Sequence, residues 1–228
     1  MKRYYLLPLL SLLILACHSL PPLKPSDQVP GDMATVCDAA FPHHAWRMVH
    51  TITTDLPGQR KGVMLGVVSL SPATGTIACA LLSIEGLRLF EARDDGTLTI
   101  RRALPPFDRP ALAEGMMKDI RLLFFPPSGK PIATGILPPG SPGCRYALAD
   151  GFLDIIRTPK GTYILERYDR RQRMVRRAEI NTCQPAGTEA NEPVPCRIHL
   201  EAMGANAYRL DLELVEARPV LDKQNSGS

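Results

Sequence analysis

Arg197-Ile198-His199-Leu200-Glu201-Ala202-Met203-Gly204-Ala205-Asn206-Ala207-Tyr208-Arg209-Leu210-Asp211-Leu212-Glu213-Leu214 is the stretch whose pattern decides the fold class. Ile198, Leu200 and Ala202 alternate with Arg197, His199 and Glu201. Tyr208, Leu210, Leu212 and Leu214 alternate with Arg209, Asp211 and Glu213. Period two means one buried face and one wet face, the signature of an antiparallel pair, with Met203-Gly204-Ala205-Asn206 as the connection.

The same period runs outward along the chain. Residues 45–54 are rich in β-branched side chains and stop at Leu56-Pro57-Gly58. Residues 62–70 and 75–84 are apolar runs joined by Ser71-Pro72-Ala73-Thr74. Residues 87–92 and 97–101 flank Asp94-Asp95-Gly96, a hairpin turn because Asp-Gly accepts positive φ. Residues 162–168 and 174–181 enclose a charged turn. One segment departs from this period. Asp108 as N-cap and Pro110 in the first turn open a helix with Leu112, Met116 and Ile120 at i, i+4 and i+8 and Met117 beside them. The pattern then predicts a strand over 121–125, stopped by Pro126-Pro127, and a second short irregular helix within the Pro/Gly-rich 131–143.

At the front, Lys2 and Arg3 precede an apolar run from Tyr4 to Ala16, the layout of a signal peptide, and the run is shorter than the roughly 20 residues a membrane span needs. It ends Ile14-Leu15-Ala16-Cys17, which resembles a bacterial lipobox. Cys17 would then be the acylated mature N-terminus, the alternative being an ordinary cleaved signal with an incidental cysteine. His18 rather than aspartate follows, which points to the outer membrane under the enterobacterial sorting rule. The expected organisation is a signal over 1–16, a lipidated, Pro-rich tether over 17–35, one β-rich domain over 36–217, and a tail over 218–228. Loss of Lys2 and Arg3 takes the net charge from +4 to +2, too little to argue for nucleic acid.

Beyond Cys17 the cysteines are Cys37, Cys79, Cys144, Cys183 and Cys196. An odd number leaves at least one unpaired in an oxidising compartment. Cys183 and Cys196 bracket a polar, Pro-rich loop and are the first expected disulfide. Cys79 reads as a buried thiol in an apolar strand, and Cys37 with Cys144 is what remains.

Gly86-Leu87-Arg88-Leu89-Phe90, Asp95-Gly96, Leu104-Pro105-Pro106, residues 117–126 (MKDIRLLFFP) and the late Tyr208-Arg209-Leu210 together resemble an uncharacterised family of bacterial lipoproteins. Its members are often encoded beside aryl-polyene biosynthesis genes and look related to the LolA/LolB carriers. The resemblance spans roughly residues 60–215. It departs at Phe125, where the family often has tryptophan, and at the Cys183–Cys196 insertion. It implies a mainly β (α+β) fold, an incomplete antiparallel barrel with one or two short helices over a concave face that receives acyl chains. It also implies lipoprotein carriers or exporters as partners. The cavity would be lined by Leu112, Met116, Met117, Ile120, Leu210 and Leu212. Met116 and Met117 are open to two readings, simple core or an adaptable lid.

Catalytic signals are missing. G-x-S-x-G, H-E-x-x-H, a P-loop and G-x-G-x-x-G do not occur, and no catalytic residue or cofactor is assigned. His43-His44 and His50 lack a partner at metal-ligand spacing, so no metal is expected. His199 falls on a wet strand face. The arginines Arg167, Arg170, Arg171 and Arg173, with Arg176 and Arg177 following, read either as a contact for anionic lipid or an acidic partner or as a solvated hairpin tip. The functional expectation is an outer-membrane, periplasm-facing lipoprotein that encloses an acyl or polyene-like chain without covalent chemistry. An accessory lipoprotein that docks partners, and a hydrolase with an unrecognised site, are the alternatives.

Overall fold

A computed structural model describes residues 20–25, 33–55, 61–138, 140–185, 192–204 and 207–220. Cys17, the apolar leader and most of the C-terminal tail lie outside the described residues. In chain order the elements are α1 (Met33–Asp38), β1 (Trp46–Asp55), β2 (Gly62–Ser71), β3 (Thr76–Ser83), β4 (Arg88–Asp94), β5 (Leu98–Ala103), α2 (Pro110–Phe124), β6 (Ala133–Leu137), β7 (Ser141–Leu148), β8 (Gly151–Arg157), β9 (Tyr163–Asp169), β10 (Met174–Cys183), β11 (Val194–Ala202) and β12 (Tyr208–Pro219).

The strands form one antiparallel sheet of twelve in the order β5-β4-β3-β2-β1-β12-β11-β10-β9-β8-β7-β6. Two meanders, β1–β5 and β6–β12, are sewn together where β1 pairs with β12. β5 and β6 remain edges, so the barrel is incomplete, as expected. α2 is the connection between those two edges.

The β11–β12 register explains the alternation from which the fold was read. Ile198 faces Leu212 and Leu200 faces Leu210 on the inner side. On the outer side Arg197 faces Glu213, His199 faces Asp211 and Glu201 faces Arg209. All three outer pairs carry opposite charges once His199 is protonated, and the His199 Nδ1–Asp211 contact is 2.6 Å. A slip of one residue would bury every one of these charges, so the pattern fixes the register.

Three expectations change. Residues 121–124 continue α2 rather than forming a strand, because Leu122, Leu123 and Phe124 extend its buried face. The helix stops where Phe125, held extended by the following Pro126, has φ −124° and ψ 133°. Its N-cap is Arg109, which makes no side-chain capping bond, so Asp108 does not serve that role. Residues 131–143 hold β6 and the start of β7 rather than a helix.

The N-terminal segment is also more than a tether. Met33–Asp38 is helical, and Lys24 bridges onto β6, its N–H donating to the Ile136 carbonyl at 3.0 Å and its carbonyl accepting from Ile136 N–H at 2.8 Å. Gly135 makes room for this approach: a Cβ there would fall 2.2 Å from the Lys24 carbonyl oxygen. α1 packs on β7 and β8, and the Cys37–Cys144 disulfide fastens it across a separation of 107 residues. Cys79 is a buried thiol. Cys183 and Cys196 are unbonded thiols on neighbouring strands rather than a disulfide, and Cys196 sits at the bulge that interrupts the β10–β11 register.

The Cys37–Cys144 bridge restrains a long unfolded loop, so its removal is expected to lower stability by about 2–5 kcal/mol. Urea denaturation of the Cys37→Ser/Cys144→Ser variant against the parent measures this; equal midpoints would show that the bridge does not hold α1.

Candidate functional site

The inner face of the sheet carries the candidate site. Along β1 and β2 the inward positions are Trp46, Met48, His50 and Ile52 opposite Leu70, Val68, Gly66 and Met64. β12 continues the rows with Leu212 opposite Ile52 and Leu214 opposite His50. Gly66 is needed here, because a Cβ would lie 2.5 Å from the Ile52 side chain.

α2 lies over this face with a stripe different from the one expected. Ala113, Met117, Leu122, Leu123 and Phe124 are buried. Met117 Sδ accepts the Cys79 thiol at 3.5 Å, and Phe124 meets the His50 ring at 5.8 Å between centroids. Burying four such large side chains is worth about 1.5–3 kcal/mol each. Met116 and Ile120 sit half-buried at the margin of the core, and Leu112 is 39% exposed. Of the six expected cavity residues, Met117 and Leu212 are therefore core, Met116, Ile120 and Leu210 border it, and Leu112 faces solvent. Ile52, Met64, Leu214 and Tyr208, half-buried on the inner face, join the same border, though none is among the six expected cavity residues.

Two polar clusters pin the helix. Asp119, buried, accepts from Arg176 Nε on β10 at 2.9 Å and from the Tyr208 hydroxyl on β12. The Arg176 guanidinium also lies 5.4 Å from the Tyr208 ring centroid. Burial opposes the charge on Arg176, but the Asp119 carboxylate outweighs it and raises the pKa. Burial and the same carboxylate push the Tyr208 phenol up. On the other flank Arg121 donates to Asp94 of β4 at 2.7 Å and stacks 5.5 Å from the Phe125 ring centroid.

His43, His44 and His50 are engaged in contacts within the protein. His50 is buried, its Nε2 donating to the Pro195 carbonyl at 3.1 Å, and burial lowers its pKa against that hydrogen bond. Glu192 collects the His43 N–H, the His44 N–H at 3.3 Å, His44 Nδ1 at 3.0 Å and the Trp46 indole N–H at 2.8 Å. Burial raises the Glu192 pKa, but these donors prevail and leave it lowered. Sequence reading missed Glu192. Among the described residues no group of three His, Cys, Asp or Glu side chains could hold a metal ion.

The arginines disperse. Arg167 pairs with Asp150 at 2.5 Å, Arg173 with Asp169 at 2.7 Å and Arg177 with Glu166 and Glu179, while Arg176 turns inward. Arg170 donates to the Ala149 carbonyl at 2.8 Å, and Arg171 is exposed. Among the described residues neither of these two forms an ion pair. A shallow dent of about 190 Å³ on the outer face has Ser69, Ala78 and Ala80 as its floor. Its rim arginines Arg88 and Arg93 are already paired with Glu91 and Asp95.

No family model matches the sequence, and no curated protein does. Solved structures of similar shape include the following two. A LolA superfamily protein from Nitrosomonas europaea aligns with a TM-score of 0.47 at 12% identity, over 85% of this chain and 97% of that one. A DUF1329 family protein from Desulfovibrio piger aligns with a TM-score of 0.37 at 9% identity, over 84% and 92%. Neither likeness bears on function.

Removing the Asp119 carboxylate leaves Arg176 and Tyr208 without their acceptor, so Asp119→Ala is expected to destabilise by about 2–3 kcal/mol and Tyr208→Phe by about 1 kcal/mol. Hydrogen exchange of the α2 amides, read beside urea midpoints, checks this, and unchanged α2 protection would show that the cluster does not pin the helix. His50 gives a pH signature. Its folded pKa lies below the unfolded value near 6.5, so its stabilising effect is complete above that pH and is lost as pH falls toward the folded value. The drop in thermal midpoint from pH 7 to pH 5 should shrink in His50→Phe; an identical drop in both proteins would assign the acid sensitivity elsewhere.

Proposed function

We propose that this chain is an exported lipoprotein, acylated at Cys17 and anchored in the outer membrane facing the periplasm. It holds an apolar acyl or polyene-like chain against its inner face and assists the transport of lipid, lipoprotein or a lipid-linked pigment. It acts by sheltering hydrocarbon, without covalent chemistry or a cofactor.

The observation that carries this reading is the half-exposed apolar border of Ile52, Met64, Leu210, Leu214, Met116 and Ile120 on the open face of an unclosed sheet. Left empty, that border keeps apolar surface in water at about 25 cal/mol per Å², a cost that an acyl chain laid along it would remove. The two methionines suit a ligand of variable shape. The apolar leader ending in Ile14-Leu15-Ala16-Cys17 supports export and acylation.

The filled region under the second half of α2 favours a second reading, an accessory lipoprotein that docks a partner protein. Lipid extraction of the purified protein followed by mass spectrometry separates the two. A stoichiometric amphiphile is expected; a clean extract together with a defined protein partner would overturn the carrier reading. In the carrier, Met64→Ser/Leu210→Ser is expected to weaken binding of a fluorescent fatty acid about tenfold, the loss expected for removing some 1.4 kcal/mol of apolar contact. Binding at parental affinity would place the chain elsewhere.

A further inference from the structure

The antiparallel order brings the 84–87, 149–150 and 170–173 turns to one end of the sheet, because β3, β7 and β9 end there while β4, β8 and β10 begin there. Gly151 faces Asp169 and Met174 faces Tyr168, so the 149–150 and 170–173 turns are neighbours, while Met64 near the start of β2 faces Ser83 beside the 84–87 turn. This rim carries large apolar side chains in water, Val63 at 53%, Ile84 at 68% and Leu87 at 52% exposure. It also carries Arg170 and Arg171, whose guanidiniums meet no carboxylate among the described residues.

The N-terminal segment supplies a second, independent constraint. Arg145 and Asp154 form a buried pair on the outer face of β7 and β8, with Nε and Nη2 each 2.7 Å from the carboxylate. Nη2 also donates to the Pro21 carbonyl at 2.8 Å. The segment over 21–24 is thereby strapped to the domain at two points, Arg145 and β6. Cys17 precedes Pro21 by four positions, a reach of at most about 14 Å. Arg145 precedes the 149–150 turn by four positions of strand, about 14 Å. At full extension toward that turn, this reach is just long enough to bring a lipid on Cys17 to the rim.

Resting on the reading that Cys17 is acylated, we propose that the rim bearing Ile84, Leu87, Arg170 and Arg171 docks on an anionic phospholipid surface, the strapped segment keeping the domain against the bilayer. The apolar tips enter the interface and the two arginines meet lipid phosphates, which their planar forks bind bidentately. A free tether of the length of residues 18–35 would instead let the domain wander and face the membrane in any orientation.

Full-length acylated protein, reconstituted into vesicles of phosphatidylethanolamine and phosphatidylglycerol, tests this with a fluorescent amino acid placed at Glu85 on this rim or at Lys160 on the opposite one. Head-group spin-labelled lipid should quench the Glu85 site several-fold more strongly than the Lys160 site. Arg170→Glu/Arg171→Glu should bring the Glu85 site close to the Lys160 level. Equal quenching at both sites in the parent, or quenching at Glu85 that ignores the charge reversal, overturns the docking. Mass spectrometry of Cys17 distinguishes the deeper failure: an unacylated chain that does not float with vesicles removes the anchoring itself, whereas an acylated, unoriented chain removes only the docked rim.

Discussion

An antiparallel sheet that stops short of closure exposes one apolar face, and everything in this molecule follows from how that face is covered. The two edge strands, β5 and β6, are joined by α2, so the connection has to travel from one edge of the half-barrel to the other. It crosses the inner face on the way. Hydrophobic burial is non-directional and would tolerate many helix positions. The polar contacts do not: Asp119 must reach Arg176 and Tyr208 on one flank while Arg121 reaches Asp94 on the other. Burying Asp119 with its partners gives up solvation of charge, so its benefit lies less in net stability than in selecting one helix position among several greasy ones.

How much of this could be read from residues depends on which faces of a strand meet water. β11 and β12 announce themselves because one face is wet and the charges there pair across the strands. β7 and β8 do not. Cys144, Arg145 and Tyr146 are consecutive and all buried, as are Leu153, Asp154, Ile155 and Ile156, so both faces are covered and no period-two signal survives. The run Leu122-Leu123-Phe124 fails for a related reason: a short apolar run fits a strand or a buried helix equally well, and tertiary packing decides. The helical stripe was displaced by about one position because Ala113, too small to attract notice, faces the sheet where Leu112 was expected. Glu192 lay in a polar loop and carried no local sign that four donors, from residues about 146–149 positions earlier, converge on it.

The proline-rich N-terminal segment shows a limit of composition as a guide. Pro21, Pro22 and Pro25 describe a chain without regular structure of its own, which is correct, and suggest a free spacer, which is not. What holds the segment is supplied from elsewhere: an edge strand with unpaired backbone groups, a glycine that leaves space for the Lys24 carbonyl, and an arginine whose carboxylate partner leaves a donor to spare. The strap also pairs part of an edge that would otherwise offer a template to another strand.

The division of α2 into a buried stripe and a half-exposed margin bears on what the inner face can hold. A ligand cannot enter beneath Leu122–Phe124 without expelling three buried side chains and separating Phe124 from His50. Beside Met116 and Ile120 it meets apolar surface already half open to water, and little has to move. A hydrocarbon chain there gains about 0.8 kcal/mol per methylene fully sheltered. A border that covers only one side of the chain delivers only part of that gain. On the proposed carrier reading, such a site would hold its cargo firmly enough to keep it out of water and loosely enough to release it to a bilayer, which shelters the whole chain. Asp119 then holds the helix in place while the side chains on its margin, Met116 and Ile120, can adapt.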